Sequence, residues 1–165
     1  MTLDPAFIFA VSSAGDFGMN GQLPWPHNPF DFAHFRAITM GQMLLVGRKT
    51  ADTLPPLPGR DIAVLTRSPE KYFNTDRHYL NLNEALLAAQ TRQQRLLIGG
   101  GVEVLRSTNY FHRHVKTAYI SVIEGSYPSD TKFDLAKWLL DGAWQCKNST
   151  SCDSPQTTIY VCERP

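Results

Sequence analysis

Short apolar segments alternate with helix-like segments along most of the chain, and this alternation most constrains its fold. Segments with the length and apolarity of buried strands are AFIFAVS, MLLVG, DIAVLT, RLLIG and TAYISVIE, with a shorter one at HYL. Helical patterns lie between them, at residues 31 to about 40, from Thr50, in LNEALLAAQ, and after a run of glycines. Strands and helices in turn predict an α/β fold with many parallel strand pairs.

The C-terminal part of the chain departs from this alternation. We predict no helix after TAYISVIE, because AWQCKNSTSC and TTIYVCE, separated by Asp153, Ser154 and Pro155, are typical of an antiparallel hairpin. The count is about eight strands and about four helices. No repeat, low-complexity tract or linker interrupts the 165 residues, so we expect one domain over residues 1–165.

Composition and charge exclude several classes of protein. A formal net charge of +1, with 19% charged residues, gives no basic field for nucleic acid. No apolar run approaches the length of a membrane span, and the N-terminus lacks an export signal, so we expect a cytoplasmic protein. We also expect a monomer. Cys146, Cys152 and Cys162 form no CxxC motif, and we expect reduced strand residues, no disulfide framework and no metal site.

Three glycines, Gly99 to Gly101, stand between a strand and a helix in LLIGGGVEVL. Glycine allows a ligand to approach the backbone closely, and a helix N-terminus offers free N–H groups to a phosphate. The spacing is not the GxGxxG of a Rossmann unit, and the lysine of a P-loop is absent. Alone, the triplet predicts a pyrophosphate site and a simple tight turn equally well.

Two further strand-to-helix junctions favour a phosphorylated cofactor. In LLVGRKTADTL a strand ends at Gly47, and Arg48, Lys49 and the N-cap candidate Thr50 follow. In VLTRS, Thr66 and Arg67 follow another strand. Ligands of open α/β sheets collect at the carboxyl ends of the strands, where all three junctions are expected to lie.

A single acid, Asp31, lies among aromatic residues in WPHNPFDFAHF. An unpaired carboxylate in an apolar setting is costly. Asp31 therefore either faces solvent or meets a polar ligand.

These motifs together resemble those of the dihydrofolate reductase family over nearly the whole chain. The matching segments, in order, are GMNGQLPW, Asp31 followed by Phe35, GRKT, LPGR, IGGG and SDTKF. The resemblance implies a three-layer fold with a mainly parallel eight-stranded sheet, about four helices and a C-terminal antiparallel hairpin. It also implies NADPH-dependent reduction of 7,8-dihydrofolate to tetrahydrofolate for one-carbon and thymidylate metabolism, and an antifolate target.

For the cofactor NADPH, the resemblance implies that the glycine run holds the pyrophosphate, with a cis peptide between Gly99 and Gly100. Lys49 and Thr50 would hold phosphate oxygens, and Arg48 and Arg67 the 2′-phosphate. Residues 16–22, with flexible glycines, would form a mobile lid over the nicotinamide. The full set implied to bind the cofactor is Ala10, Asp16, Gly18, Met19, Asn20, Gly21, Gln22, Gly47, Arg48, Lys49, Thr50, Leu65, Thr66, Arg67, Gly99, Gly100, Gly101, Val102, Glu103, Val104 and Thr131.

For the substrate, the resemblance implies that Asp31 accepts two hydrogen bonds from the pterin edge and Arg60 binds the glutamate α-carboxylate. Trp25 would hold a structural water, Leu23 would control solvent access, and catalysis is assigned to these two residues with Asp31. Because protonation occurs at N5, several atoms away, we expect Asp31 to act ionised and through water. The remaining substrate residues implied are Ile8, Ala10, Phe32, Phe35, Leu54, Leu57, Ile98 and Ser121, the last replacing a threonine.

The sequence departs from the common bacterial pattern at a few positions. One extra residue lies between Trp25 and Asp31, so a register with Phe30 at the acid's position is an alternative, although it loses the helical match of FDFAHF. Val102 and Val104 replace an arginine and an aromatic residue. Two other functions stay open: the related riboflavin-pathway reductase, which needs neither Asp31 nor Arg60 at these positions, and a noncatalytic nucleotide-binding module.

Overall fold

The computed structural model describes residues 3–68 and 77–165. Within these residues the chain forms ten strands and five helices. In chain order they are β1 (Ala6–Ser12), β2 (Asp16–Gly18), α1 (Pro29–Thr39), β3 (Met43–Gly47), α2 (Arg48–Thr53), β4 (Asp61–Leu65), β5 (His78–Tyr79), α3 (Leu82–Thr91), β6 (Leu96–Ile98), α4 (Val102–Phe111), β7 (Thr117–Ile123), β8 (Thr131–Lys132), α5 (Leu135–Asp141), β9 (Gln145–Asp153) and β10 (Gln156–Glu163).

Eight strands form one sheet in the order β5-β4-β3-β6-β1-β7-β10-β9. Neighbouring strands are parallel from β5 to β7. Only the pairs β7–β10 and β10–β9 of this sheet are antiparallel, and they carry the C-terminal hairpin. The predicted mainly parallel sheet and hairpin are therefore confirmed. β2 and β8 form a separate antiparallel pair.

A fifth helix, α5, lies after β7, so the expectation that helices end there is wrong. Asp134 caps this helix by accepting a hydrogen bond of 3.0 Å from Lys137 N. Trp138 on α5 is buried and stacks on Trp144 with ring centroids 5.3 Å apart. The helix therefore exists because it covers an aromatic part of the core.

The side chains of the central strands divide between two apolar clusters. Successive residues of a strand point to opposite faces of its sheet, so Phe7 enters one cluster and Ile8 the other. The larger cluster contains α5, α4 and α3 residues, including Trp138 and Leu105. The smaller cluster contains Phe35 of α1 packed against the sheet. Helices thus cover both faces, as the three-layer prediction requires.

Two helix starts differ from the sequence prediction. α1 begins at Pro29 rather than Asp31, because Asn28 caps it by accepting a hydrogen bond of 3.0 Å from Asp31 N, and proline suits the first helical position. α2 begins at Arg48 with Gly47 as its N-cap, so Thr50 lies inside the helix and is not its cap.

The cysteine prediction is wrong for two of the three residues. Cys146 and Cys162 form a disulfide, while Cys152 is free. Cys146 lies directly opposite Cys162 in the β9–β10 pair, next to an irregularity in register. Their pairing depends on this register, which sequence spacing alone does not reveal.

Candidate active site

The three predicted phosphate junctions lie at the same edge of the sheet. β4, β3 and β6 are parallel neighbours, and Gly47 at the end of β3 is the register partner of Leu65 at the end of β4. Ile98, at the end of β6, is the register partner of Leu45 in β3. Consequently Arg48, Thr66 and Gly99 all continue from neighbouring strand ends, as the topology rule predicts.

The glycine run leads into α4 without a side chain that caps the helix. Gly101 is the N-cap residue and, among the described residues, no side chain makes a capping hydrogen bond here, which leaves backbone N–H groups for an anion. A Cβ on Gly101 would lie 3.6 Å from Thr50 Oγ1, and Gly47 N donates a hydrogen bond of 2.9 Å to Gly100 O. These residues form a narrow cradle with a hydroxyl beside it, which suits a phosphate.

The cis peptide lies between Gly100 and Gly101. The expected position, between Gly99 and Gly100, is therefore wrong by one bond. Both the expected and the observed cis bond lie within the glycine run, Gly99 to Gly101, whose residues have no side chains.

Other residues predicted to bind the cofactor surround this cradle. Arg48, Lys49 and Arg67 are exposed, as free cations for phosphate would be, whereas Thr66 Oγ1 accepts a hydrogen bond of 3.2 Å from Ser68 N. Val104 packs into the core against Gly47. Its side chain is thus committed to α4–β3 packing. Three more residues predicted to bind the cofactor lie near this edge: Leu65 and Val102, which are half-buried, and Glu103, which is exposed.

Residues 16–22, predicted to form a lid and called the lid below, turn back on themselves at their tip. Met19 and Gln22 exchange two backbone hydrogen bonds of 2.8 and 2.9 Å around Asn20 and Gly21. Both central residues have positive φ, 52° and 75°, which asparagine and glycine tolerate best. The sequence Asn-Gly therefore specifies this turn.

The lid is joined to the protein on two sides. Asn20 N donates a hydrogen bond of 2.9 Å to Asp130, which precedes β8, and Thr53 Oγ1 of α2 donates one of 2.7 Å to Gly21 O. Gly18 pairs with Thr131 in the β2–β8 ladder. The lid thereby lies beside the end of α2, close to the phosphate cradle.

Asp31, on the first turn of α1, is partly buried beside β7. Burial raises the pKa of its carboxyl above the ordinary value, while a hydrogen bond from Ser121 and the nearby His34 oppose this rise. Of these three influences burial is the largest, so the pKa of Asp31 is raised. Ser121 is 3% exposed and is the register partner of Ala10, so these two predicted residues lie side by side on β7 and β1.

Several buried polar side-chain atoms have no hydrogen-bond partner among the described residues. Those relevant here are Trp25 Nε1, His34 Nε2, and Arg60 Nε and Nη1. Buried donors in proteins are normally satisfied, so such a group points to a missing partner. The Arg60 guanidinium, with two such atoms, is the chemistry that a carboxylate ligand satisfies.

The predicted apolar wall is only partly brought together. Ile8, Phe35, Leu54 and Leu57 share the smaller apolar cluster on one face of the sheet. Ile98 is fully buried in the larger cluster on the other face. Two more predicted residues are open to solvent: Leu23 is 59% exposed and Phe32 is 48% exposed.

Sequence reasoning missed two residues of this region. His34 lies three positions after Asp31 on α1, and burial lowers its pKa while Asp31 raises it. Asn28 both caps α1 and donates a hydrogen bond of 2.7 Å to Thr157 on β10. The i, i+3 spacing was a signal for His34. Asn28 thereby fixes the start of α1 ahead of Asp31 and ties it to β10.

Residues 5–163 match the family described as dihydrofolate reductase. The chain is 31% identical over 137 residues to the dihydrofolate reductase type 9 of Escherichia coli, covering 78% of this chain and 75% of that protein. It is 27% identical over 159 residues to the type 3 enzyme of Salmonella typhimurium, covering 96% and 93%.

A solved structure is similar over almost the whole chain. It is the dihydrofolate reductase from Enterococcus faecalis complexed with NADP(H) and RAB-propyl, with a TM-score of 0.81 and 26% identity, covering 97% of this chain and 95% of that one.

Proposed function

This chain belongs to the dihydrofolate reductase family, and from that premise we propose that Asp31 orients the pterin while the glycine run and its neighbouring cations hold the cofactor. The enzyme reduces 7,8-dihydrofolate to 5,6,7,8-tetrahydrofolate and uses NADPH. The riboflavin-pathway and noncatalytic alternatives are thereby set aside. What remains to be assigned is the role of each residue.

For the cofactor, the proposal rests on the cradle of Gly99 to Gly101 and the uncapped start of α4. These backbone N–H groups bind the pyrophosphate, and Thr50 and Lys49 add donors beside it. Arg48 and Arg67, exposed at neighbouring strand ends, bind the 2′-phosphate and thus favour NADPH over NADH. When bound, NADPH supplies the hydride for pterin C6.

For the substrate, the proposal rests on one observation above all, the partly buried Asp31 carboxylate beside Ser121. A pterin presents two neighbouring N–H donors, which the carboxylate accepts, and Phe35 and Ile8 pack against the flat ring. Arg60 binds the glutamate α-carboxylate, which satisfies its buried nitrogen atoms. The two charged anchors fix the orientation of the ring.

Asp31 works as an anion in this proposal. Its negative charge makes N5 of the pterin easier to protonate, and the proton reaches N5 through water because the carboxylate binds the opposite edge of the ring. Trp25 is 6% exposed, and its buried indole N–H is suited to hold that water. Leu23, exposed on the chain between the lid and Trp25, controls solvent entry.

We also propose that the enzyme acts as a cytoplasmic monomer. Among the described residues, no helix is both long and apolar enough to cross a membrane.

The test follows NADPH absorbance with purified protein, with and without dihydrofolate, for the wild type and Asp31→Asn. We expect substrate-dependent oxidation in the wild type, and a severe loss in the variant with NADPH binding retained. Asp141→Asn, at an exposed acid on α5, is the matched control and should keep full turnover. Near-normal turnover in Asp31→Asn would refute the assignment of the acid.

A further inference from the structure

Asp16, the first residue of the lid, carries a buried carboxylate that the proposed mechanism does not use. Its side chain is 0% exposed. Four donors surround it. They are Ser12 Oγ at 2.7 Å and Tyr127 N at 2.9 Å from Oδ2, Ser129 Oγ at 2.7 Å from Oδ1, and Lys132 Nζ, which also bonds to Oδ1.

These contacts leave Asp16 no role as a direct ligand of the cofactor through its carboxylate. Lys132, followed by the other three donors, holds the pKa of Asp16 well below its usual range. Both carboxylate oxygens of Asp16 already accept hydrogen bonds from protein groups, and the side chain is not exposed to solvent. The predicted contact between Asp16 and the cofactor is therefore better replaced by an indirect role.

The same contacts join the base of the lid to three other segments. Ser12 ends β1 and also accepts a hydrogen bond of 2.9 Å from Asp16 N. Ser129 and Tyr127 belong to the loop after β7, and Lys132 ends β8. One ionised side chain thus ties the lid to the central sheet and to the β2–β8 pair.

The next residue shows why the position of this base matters. A Cβ on Gly100 would lie 3.4 Å from Phe17 Cζ, so the Phe17 ring lies against the glycine run. The same ring is 5.6 Å from the Phe133 ring, just after β8. Any movement of Asp16 therefore moves Phe17 relative to the cradle that holds the pyrophosphate.

The tip of the lid is held differently from its base. The contacts of Asn20 with Asp130 and of Thr53 with Gly21 are exposed single hydrogen bonds. Exposed hydrogen bonds are readily exchanged for bonds to water. The base, in contrast, is held by a buried charge with several partners.

We propose that Asp16, with Lys132 as its charge partner, is the positioning residue of the lid. It keeps the lid base fixed and Phe17 against Gly100 while the tip opens and closes. The inference rests on the proposed function of the enzyme and on the predicted role of residues 16–22 as a lid over the nicotinamide. Loosening the base releases NADPH faster and slows hydride transfer, without weakening the substrate contacts of Asp31 and Arg60.

The test compares Lys132→Met with Lys137→Met. Lys132 is 64% exposed in its side chain, so its loss should leave the protein folded. Lys137 is a similarly exposed lysine, but its partner Asp141 on α5 is itself exposed, and Lys137 is therefore the matched control for losing a lysine at the surface. The measurements are the NADPH dissociation rate, both KM values, the isotope effect with deuterated NADPH, and Tm.

We expect Lys132→Met to raise NADPH dissociation by about two- to fivefold, to raise KM for NADPH and to increase the isotope effect. KM for dihydrofolate should not change. Lys132→Arg should restore wild-type values because it retains the charge, and Lys137→Met should have no effect. Asp16→Asn should act more strongly, and Lys132→Met should add nothing to it.

Equal NADPH dissociation rates in the wild type and Lys132→Met would overturn the proposal, whether or not Asp16→Asn folds. So would a parallel rise in both KM values with a lower Tm, which indicates a general structural role. NADPH dissociation needs no turnover, so this result is separate from the test of Asp31.

Discussion

The Ser121 side chain of the central strand β7 lies beside the Asp31 carboxylate on the first turn of α1, and its hydroxyl lowers the pKa of that acid. This interaction favours the ionised acid, against the effect of burial. Ser121→Ala should therefore raise the pKa of Asp31 further. Since dihydrofolate binding needs the anion, its loss on the acid side should move to higher pH, measured as KM for dihydrofolate against pH.

Ser121→Thr is the matched control for this prediction. It returns the hydroxyl and should restore the wild-type pH profile, with KM for NADPH unchanged in both variants. An unshifted profile in Ser121→Ala would mean that the hydroxyl does not govern the charge of Asp31.

Arg60 offers a second test of the substrate site. Truncating one member of a buried charge pair costs about 2–5 kcal/mol. Arg60→Met should therefore raise KM for dihydrofolate by a factor of about 30 or more, with kcat much less affected. A substrate analogue without the glutamate should bind the wild type and Arg60→Met equally. A difference between them with that analogue would argue against the contact with the carboxylate.

A substitution at Thr53 tests whether its hydrogen bond to Gly21 keeps the tip of the lid in place. Thr53→Val keeps the shape of the side chain and removes the hydrogen bond of 2.7 Å to Gly21 O. An exposed hydrogen bond contributes about 1 kcal/mol, so NADPH should dissociate roughly fivefold faster. Stopped-flow displacement measures this rate. Thr53→Ser, which keeps the hydroxyl, should resemble the wild type. If NADPH dissociates from Thr53→Val at the wild-type rate, this hydrogen bond does not hold the lid.

Local patterns made the fold predictable from the sequence, since the strand-helix alternation determines both the parallel sheet and the edge where its loops meet. The helix α5 was missed because it has only seven residues, and its burial depends on Trp144, later in the chain. The start of α2 was misplaced because a glycine cap carries no side-chain signal.

For the site, the sequence predicts which residue types are present, but it does not predict their charge states. The raised pKa of Asp31 depends on its burial and on Ser121, ninety positions away in sequence, and only the packing of α1 on β7 brings them together. The buried state of Asp16 depends equally on residues of β8 and its preceding loop. Contacts between distant segments are the part that a single sequence leaves open.

The Cys146–Cys162 disulfide gives a test of stability that is separate from the active site. The bond closes a loop with a sequence separation of 16. A loop of this size limits the unfolded chain enough to contribute about 3 kcal/mol to the free energy of unfolding. Cys146 is exposed, so Cys146→Ser should remove the bond with little change in core packing, and urea unfolding should show the loss as a lower midpoint. Cys152→Ser, at the free cysteine of the same hairpin, is the matched control and should keep the wild-type midpoint.

A reducing agent should lower the midpoint of the wild type and of Cys152→Ser to that of Cys146→Ser, whose own midpoint should not move. Identical midpoints for Cys146→Ser and the wild type under oxidising conditions would show that the disulfide does not contribute to stability in solution.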